Sequence, residues 1–162
     1  MKLRTHIIFS IGLTALIESA LGISNIILLL GSSIVLSYLI NLLIDVLGHE
    51  ERNGFTRRSP RTHTMGRSFA VGLIVSILVA LFLYYMSPIG IYKALIIVLM
   101  GPVVGWSHML LDMLTENGIY VKRRGRWVRF ALAHYKYNNP VLNWLFIIIG
   151  VMLLIKSLLI IY

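Results

Sequence analysis

The sequence predicts an all-α membrane protein, a polytopic bundle of five transmembrane helices whose N-terminus lies in the cytoplasm. Of its 162 residues, 58% are hydrophobic and only 13% are charged, whereas soluble domains carry about 25% charged residues. The apolar residues form five runs close to the length of about 20 residues that a spanning helix needs. Most basic residues lie in three stretches, and an even number of apolar runs separates these stretches.

We predict one membrane domain over residues 1–162. Its expected spans are 5–22, 23–47, 68–86, 89–114 and 140–162. Two polar loops, 48–67 and 115–139, separate the spans, and the second of these could form a small hairpin around Gly125 or an interfacial segment. The first run also has the form of a cleavable signal peptide, but Glu18 inside it favours a helix with one face turned to the bundle interior.

The distribution of basic residues predicts the orientation. The N-terminal segment and the two polar loops hold 13 of the 15 Lys and Arg residues. The positive-inside rule then places these segments in the cytoplasm and the C-terminus outside, in a multi-pass protein of the plasma membrane. Because the basic residues lie between apolar runs, we expect them to contact anionic lipid head groups, with no specific binding of nucleic acid.

Histidine and aspartate residues cluster where apolar runs end. His108 and Asp112 lie four residues apart, so their side chains share one face of a helix. Asp45 and His49 repeat this spacing in reverse order at the end of another run. The predicted topology brings all of these to the cytoplasmic face, together with two further histidines. The candidate metal ligands are His6, Asp45, His49, His63, His108 and Asp112.

Cysteine is absent, so a transition-metal site here uses imidazole and carboxylate ligands. These suit Zn, Fe, Mn and Ni, and we expect a divalent ion, zinc first, in one or two copies. In a catalytic site, Asp112 or Glu116 would accept a proton, and Arg58, Arg61 and Arg67 would bind an anionic group. The alternative is a structural network that ties the helix ends to basic loops, with the arginines contacting lipid.

Two motifs resemble a known family. They are Arg61-Thr62-His63-Thr64 and the stretch from Gly105-Trp106-Ser107-His108 through Asp112, Thr115 and Gly118. In this pattern the chain resembles the YdjM-like membrane-bound metal-dependent hydrolases. The resemblance implies a metal site that joins an N-terminal His, an acidic helix end and both motifs.

The chain is more similar to a small archaeal family of uncharacterised integral membrane proteins. That similarity lies in Gly48-His49-Glu50, in residues 115–120 and in Tyr137-Asn138-Asn139-Pro140. The sequence departs from the wider hydrolase family at Thr64, where Ser is usual, and at Asp45, where two acidic residues are common. The single aspartate weakens the expectation of two metal ions.

These observations predict a membrane-embedded metal-dependent hydrolase that acts on a lipid or a lipid-linked phosphoester at the cytoplasmic interface. A metal ion would lower the pKa of a bound water molecule, which would then act as the nucleophile. The alternative is a non-catalytic subunit or scaffold, whose His and Asp residues are structural and whose basic loops bind lipid or a partner protein. A homo-oligomer or a larger membrane complex is compatible with both functions.

Overall fold

The structure is a computed structural model that describes residues 1–52 and 55–162. Five α-helices make up most of the described chain. They are α1 (Leu3–Ala20), α2 (Ile26–Gly48), α3 (Met65–Met86), α4 (Ile91–Met113) and α5 (Pro140–Ile161). The two predicted loops contain antiparallel hairpins, which are β1 (His49–Arg52) with β2 (Phe55–Arg58), and β3 (Ile119–Arg123) with β4 (Arg126–Phe130).

Four of these helices, α2 to α5, are long and apolar enough to cross a membrane. Each has 22 or 23 residues, which matches the thickness of a bilayer core. The mostly helical architecture predicted from the sequence is therefore confirmed, and the four long apolar helices support the prediction of a membrane protein. Helix α1 has 18 residues and carries Arg4, His6 and Glu18. A fifth span through α1 and the cytoplasmic location of the N-terminus stay predictions.

Capping side chains fix where three of the helices begin. Helix α2 starts three residues later than predicted, and α3 starts three residues earlier. Asn25 and Thr64 each accept a hydrogen bond from a backbone N–H in the first turn of these helices. Asn139 does the same for α5. Such caps satisfy donors that the helix itself leaves unpaired, so the helix begins directly after the capping residue.

Helices α3 and α4 approach closely because small residues line their interface. A Cβ atom added to Gly101 would overlap the carbonyl of Gly72, and one added to Gly105 would overlap the carbonyl of Ser68. Gly72 follows Ser68 by four residues, as Gly105 follows Gly101, so both pairs repeat once per turn. Interfaces of this kind let membrane helices gain packing contacts between their backbones.

Helix α4 is continuous through Pro102. A proline inside a helix has no N–H to donate, so the carbonyl four residues earlier loses its usual partner. Here that carbonyl belongs to Val98, and it accepts a hydrogen bond of 2.8 Å from the hydroxyl of Ser76 on α3. The continuous α4 carries His108 and Asp112 to the same end of the bundle as the start of α3.

A buried polar stripe runs along the contact between α1 and α2. Its residues repeat every four positions on both helices, and they are His6, Ser10, Thr14 and Glu18 on α1 and Ser33, Ser37, Asn41 and Asp45 on α2. Asn41 donates to Ser10 at 2.9 Å, and Ser33 donates to Glu18 at 3.3 Å. These two hydrogen bonds show that the helices are antiparallel. His6 and Asp45 therefore lie at the same end of the pair.

The hairpins hold that end of the bundle together. Tyr120 of β3 donates its backbone N–H to the carbonyl of His63 at 2.8 Å, and its hydroxyl donates to the carbonyl of Arg58 at 2.9 Å. Tyr120 thus fixes both the segment before α3 and the end of β2. The second hairpin was one of the two conformations that the sequence allowed around Gly125, and the first was not predicted.

Candidate metal centre

Five of the six candidate ligands meet at one end of the bundle. They come from the start of α1, the end of α2, the segment before α3 and the end of α4, and they are His6, Asp45, His63, His108 and Asp112. The histidines and Asp112 are buried, whereas the Asp45 side chain is 18% exposed. Because the chain reverses at each helix, residues far apart in the sequence converge here.

Two histidines and two aspartates have the mutual spacing of metal ligands. His63 Nε2 lies 3.5 Å from Asp45 Oδ1 and 3.8 Å from Asp112 Oδ2. His108 Nε2 lies 3.5 Å and 3.3 Å from the same two atoms. Ligands at bond lengths of about 2.0–2.2 Å in a tetrahedral shell stand about 3.3–3.6 Å apart. Each histidine nitrogen therefore lies close to the spacing of metal ligands from both carboxylates, and Asp45, His63 and His108 form one group of three that could hold an ion.

Three of these donor atoms are buried without a hydrogen-bond partner in the described part of the chain. They are His63 Nε2, His108 Nε2 and Asp112 Oδ2. Burial of a polar atom costs free energy unless a hydrogen bond or a metal compensates for it. Three such atoms from separate segments that face one another are typical of metal ligands, because one cation satisfies all of them.

Neighbouring side chains set which nitrogen of each imidazole is free. Asn41 uses its amide group to donate to Ser10 and to the carbonyl of Ser37, so its oxygen faces His108 Nδ1 at 2.8 Å. An amide oxygen can only accept, so Nδ1 of His108 carries the proton and Nε2 presents its lone pair. Metal-binding histidines usually have such a partner on the second nitrogen.

His63 has a similar arrangement. Its Nδ1 lies 3.3 Å from the hydroxyl of Thr62, and that hydroxyl donates to the carbonyl of Ile44 at 2.6 Å. The hydroxyl oxygen therefore accepts from Nδ1, which leaves Nε2 free. Burial lowers the pKa of His63, because a charged imidazolium loses hydration in the interior. The side chain thus stays neutral, as a metal ligand must.

The two oxygens of Asp112 have different surroundings. Oδ1 accepts hydrogen bonds from Arg58 Nη2 and from the amino group of Met1, each at 2.7 Å. Oδ2 faces the two histidines. Arg58 also donates to the carbonyl of Gly118 at 3.2 Å, which holds the guanidinium in place. Arg58 therefore orients Asp112. Its contact with a substrate stays a prediction.

His6 lies beside this group on its inner side. Its ring stacks on that of His108 with 3.9 Å between centroids, and its Nε2 is 3.2 Å from Asp112 Oδ1. His6, His108 and Asp112 form a second set of atoms that could hold an ion. Both nitrogens of His6 are buried without a hydrogen-bond partner among the described residues.

Four other predicted site residues belong to neither group of possible ligands, and they are His49, Glu116, Arg61 and Arg67. The His49 ring is 5.3 Å from that of His63, between centroids, and belongs to neither ligand set. Glu116 is exposed, and its backbone N–H donates to Tyr135. Their roles as ligand and general base stay predictions.

The two remaining arginines have contacts elsewhere. Arg61 forms an ion pair of 3.1 Å with Glu50, and its side chain is 72% exposed. Arg67 donates to the carbonyl of Pro60 at 2.8 Å and lies over the ring of Trp127. Substrate binding by Arg61 and Arg67 stays a prediction.

A cleft of about 690 Å³ opens beside Asp45. Several residues that line it were not predicted, among them Lys2, Arg57 and Arg129, and Asn41 was not predicted as a partner of a ligand. The spacing of four residues between Asn41 and Asp45 could have identified Asn41. No sequence pattern identifies the basic residues of the cleft, because the strand pairing decides which arginine faces it.

The fold and this centre define a helical protein of membrane type with a candidate His and Asp metal site. The chain belongs to the family described as protein of unknown function DUF1286, whose model matches residues 1–111. The match includes His6, Asp45, His63 and His108, and Asp112 is the first residue beyond it. No curated protein and no solved structure matches the chain. Nothing in these comparisons connects it to the YdjM-like hydrolases.

Proposed function

We propose that this protein is a membrane-embedded metal-dependent hydrolase that acts on a lipid or lipid-linked ester at the cytoplasmic interface. One observation carries the proposal. Buried donor atoms of His63, His108 and Asp112 have no hydrogen-bond partner among the described residues, and they lie with Asp45 at the spacing of metal ligands.

The contact with the cleft favours catalysis over a structural metal. Structural zinc sites are closed, whereas catalytic sites keep a position open to water and substrate. Here the buried donors of His63, His108 and Asp112 would supply three ligands, and Asp45 lines the cleft beside them, where a fourth position would stay open. A divalent ion in such a site acidifies a water molecule and polarises the oxygen of an ester. Asp45 lies on the side from which water enters, so we assign it the role of proton acceptor.

The geometry favours one ion. His108 has a single free nitrogen, since Asn41 occupies Nδ1, and both possible ligand sets include His108. Two ions would therefore compete for the same lone pair. Imidazole and carboxylate donors at this spacing suit zinc first, and they also suit manganese or iron. In this arrangement His6 supports Asp112 and does not complete a second site.

Metal analysis of the purified protein tests the centre. We expect about one divalent ion per chain in the wild type, since both possible ligand groups share the one free nitrogen of His108. His63→Ala and His108→Ala should each lose most of it. His134→Ala is the matched control, because His134 is exposed and belongs to neither ligand set. A wild type that holds no divalent ion after gentle purification, and takes up none when zinc is added, would contradict the proposal.

Activity separates the hydrolase from the scaffold. After chelation, hydrolysis of a panel of amphiphilic carboxylic and phosphate esters should disappear, and it should return when zinc or manganese is added. Asp45→Asn should lower the rate more strongly than it lowers the metal content. If the double variant His108→Ala, Asp112→Ala folds and supports full function in the native host, the protein is instead a non-catalytic scaffold.

A further inference from the structure

The cleft beside Asp45 has an excess of positive charge. Among the described residues, four basic side chains line it, and Asp45 is the one carboxylate. The four are Lys2, Arg57, Arg58 and Arg129. Arg58 is neutralised by Asp112. The other three form no ion pair with a carboxylate in the part of the chain that the structure describes. A ligand that enters the cleft therefore meets uncompensated cations.

These cations are free to bind a ligand, unlike two arginines that the sequence suggested. Arg61 is paired with Glu50, and Arg67 is held by the carbonyl of Pro60. Arg57 and Arg129 are exposed on the cleft, and the one side-chain bond of Arg129 is to the neutral hydroxyl of Tyr120 at 3.3 Å. A guanidinium presents paired N–H donors that match the oxygens of a phosphate.

The charge of the cleft discriminates between classes of ester. A carboxylic ester is neutral and would leave three cations without a partner. A phosphodiester has one negative charge, whereas the terminal phosphate of a phosphomonoester has close to two. A bound divalent ion would add two positive charges beside Asp45. The balance of charge is therefore best with a terminal phosphate.

Resting on the proposed function, we propose that the substrate of this centre is a phosphomonoester whose terminal phosphate is bound by Arg57 and Arg129. In the reaction, a water oxygen forms a bond to phosphorus, and the bond between phosphorus and the ester oxygen breaks. Asp45 accepts a proton from the water and then passes that proton to the departing oxygen, while the other proton of the water stays on the phosphate. The products are an alcohol and inorganic phosphate.

The test measures binding separately from catalysis. Protein in phosphatidylcholine nanodiscs, with metal removed, is titrated with dioctanoyl phosphatidic acid, with inorganic phosphate and with dioctanoyl phosphatidylcholine. Arg57→Gln and Arg129→Gln should each weaken binding of phosphatidic acid by about 10- to 100-fold, the usual effect of removing a hydrogen bond to a charged group. Arg126→Gln removes the same charge from the strand that carries Arg129, at a residue that does not line the cleft, and should leave the affinity unchanged.

The outcomes are distinct. Tighter binding of phosphatidic acid than of inorganic phosphate identifies a lipid phosphate, and equal binding identifies a soluble phosphomonoester; both support the inference. Equal losses in Arg57→Gln, Arg129→Gln and Arg126→Gln would overturn it, as would binding of phosphatidylcholine as tight as that of phosphatidic acid. If binding behaves as expected but the zinc-loaded protein releases no phosphate, the hydrolase proposal fails and the anion site stands. If the metal-loaded protein cleaves carboxylic esters without phosphate selectivity, the hydrolase proposal stands and the phosphate site fails.

Discussion

His108 shows how one side chain is prepared to bind a cation. Its Nδ1 faces the oxygen of Asn41, and its Nε2 faces Asp45 and Asp112 without a hydrogen bond. The amide of Asn41 is itself held by Ser10 and by the carbonyl of Ser37. The orientation of the imidazole therefore depends on contacts between α1 and α2, some distance from the centre itself.

Asn41→Leu tests this dependence at nearly constant volume. Without the amide oxygen, His108 can rotate or take the other tautomer, so metal affinity should fall by about 10- to 100-fold, as is usual for partners of metal ligands. Competition with a chelator of known affinity measures the change.

Asn25→Ala is the control for that experiment. Asn25 caps α2 on an exposed surface, so its loss should lower thermal stability through the helix end and leave metal affinity unchanged. If Asn41→Leu binds metal as tightly as the wild type, Asn41 has no role in orienting His108.

At the scale of single residues, the sequence predicted which candidate ligands come together better than it predicted which basic residues lie around them. His6, Asp45, His63, His108 and Asp112 converge because each lies at a helix end and the number of helices between them sets the side. The position of Arg57 on the cleft follows from the pairing of β1 with β2, where it lies opposite Glu50. Neither apolar periodicity nor charge counting contains that information.

Helices α3 and α4 approach each other closely enough that glycine is required between them. Gly101 lies against Gly72 and Ser76, and a Cβ atom there would overlap both. Gly31 on α2, by contrast, has no neighbouring atom within 4 Å of an added Cβ. The two glycines therefore separate the effect of packing from the effect of helix propensity.

Gly101→Ala should lower the free energy of unfolding by about 1–3 kcal/mol, the usual cost of overpacking. The backbone of α3 must move, and the hydrogen bond from Ser76 to the carbonyl of Val98 would lengthen. Gly31→Ala should leave stability unchanged or raise it slightly, because Ala favours helix. Thermal unfolding in detergent measures both, and equal stabilities for the two variants would contradict the packing argument.

The starts of α2 and α3 could have been predicted from their capping residues. Asn25 and Thr64 explain the shifted starts of α2 and α3, and both residue types are common at helix starts. The first hairpin was not predicted, although the sequence between its strands contains Asn53-Gly54, a dipeptide typical of hairpins. Hydrophobic runs dominate the sequence and conceal such short signals.

At the scale of the whole molecule, the topology depends on whether α1 crosses the membrane. The hydroxyl of Tyr92, at the start of α4, donates to the carbonyl of Leu21, at the end of α1. The turn after α1 and the turn before α4 therefore lie at one end of the bundle, and the metal centre lies at the other. If α1 spans the bilayer, these two ends face opposite sides of the membrane.

Cysteine labelling tests this arrangement, since the chain has no native cysteine. Cys in place of Ser24 or Ile91 should react with an impermeant thiol reagent from outside the cell. Cys in place of Arg123, on the β3–β4 hairpin, should react from the cytoplasmic side alone, as the positive-inside rule requires. Labelling of positions 24 and 91 from opposite sides would exclude the five-span topology, and labelling of all three from one side would exclude a spanning bundle.

The polar stripe between α1 and α2 has a consequence for how the protein is made. Helix α1 carries His6, Ser10, Thr14 and Glu18 on one face, and a segment of this kind enters lipid poorly by itself because its polar groups lose water. Once α2 is synthesised, its matching face supplies partners for Ser10 and Glu18. The two helices should therefore leave the insertion machinery together, as a hairpin. The ligands His6 and Asp45 would be brought side by side at that moment, before α3 and α4 have been translated.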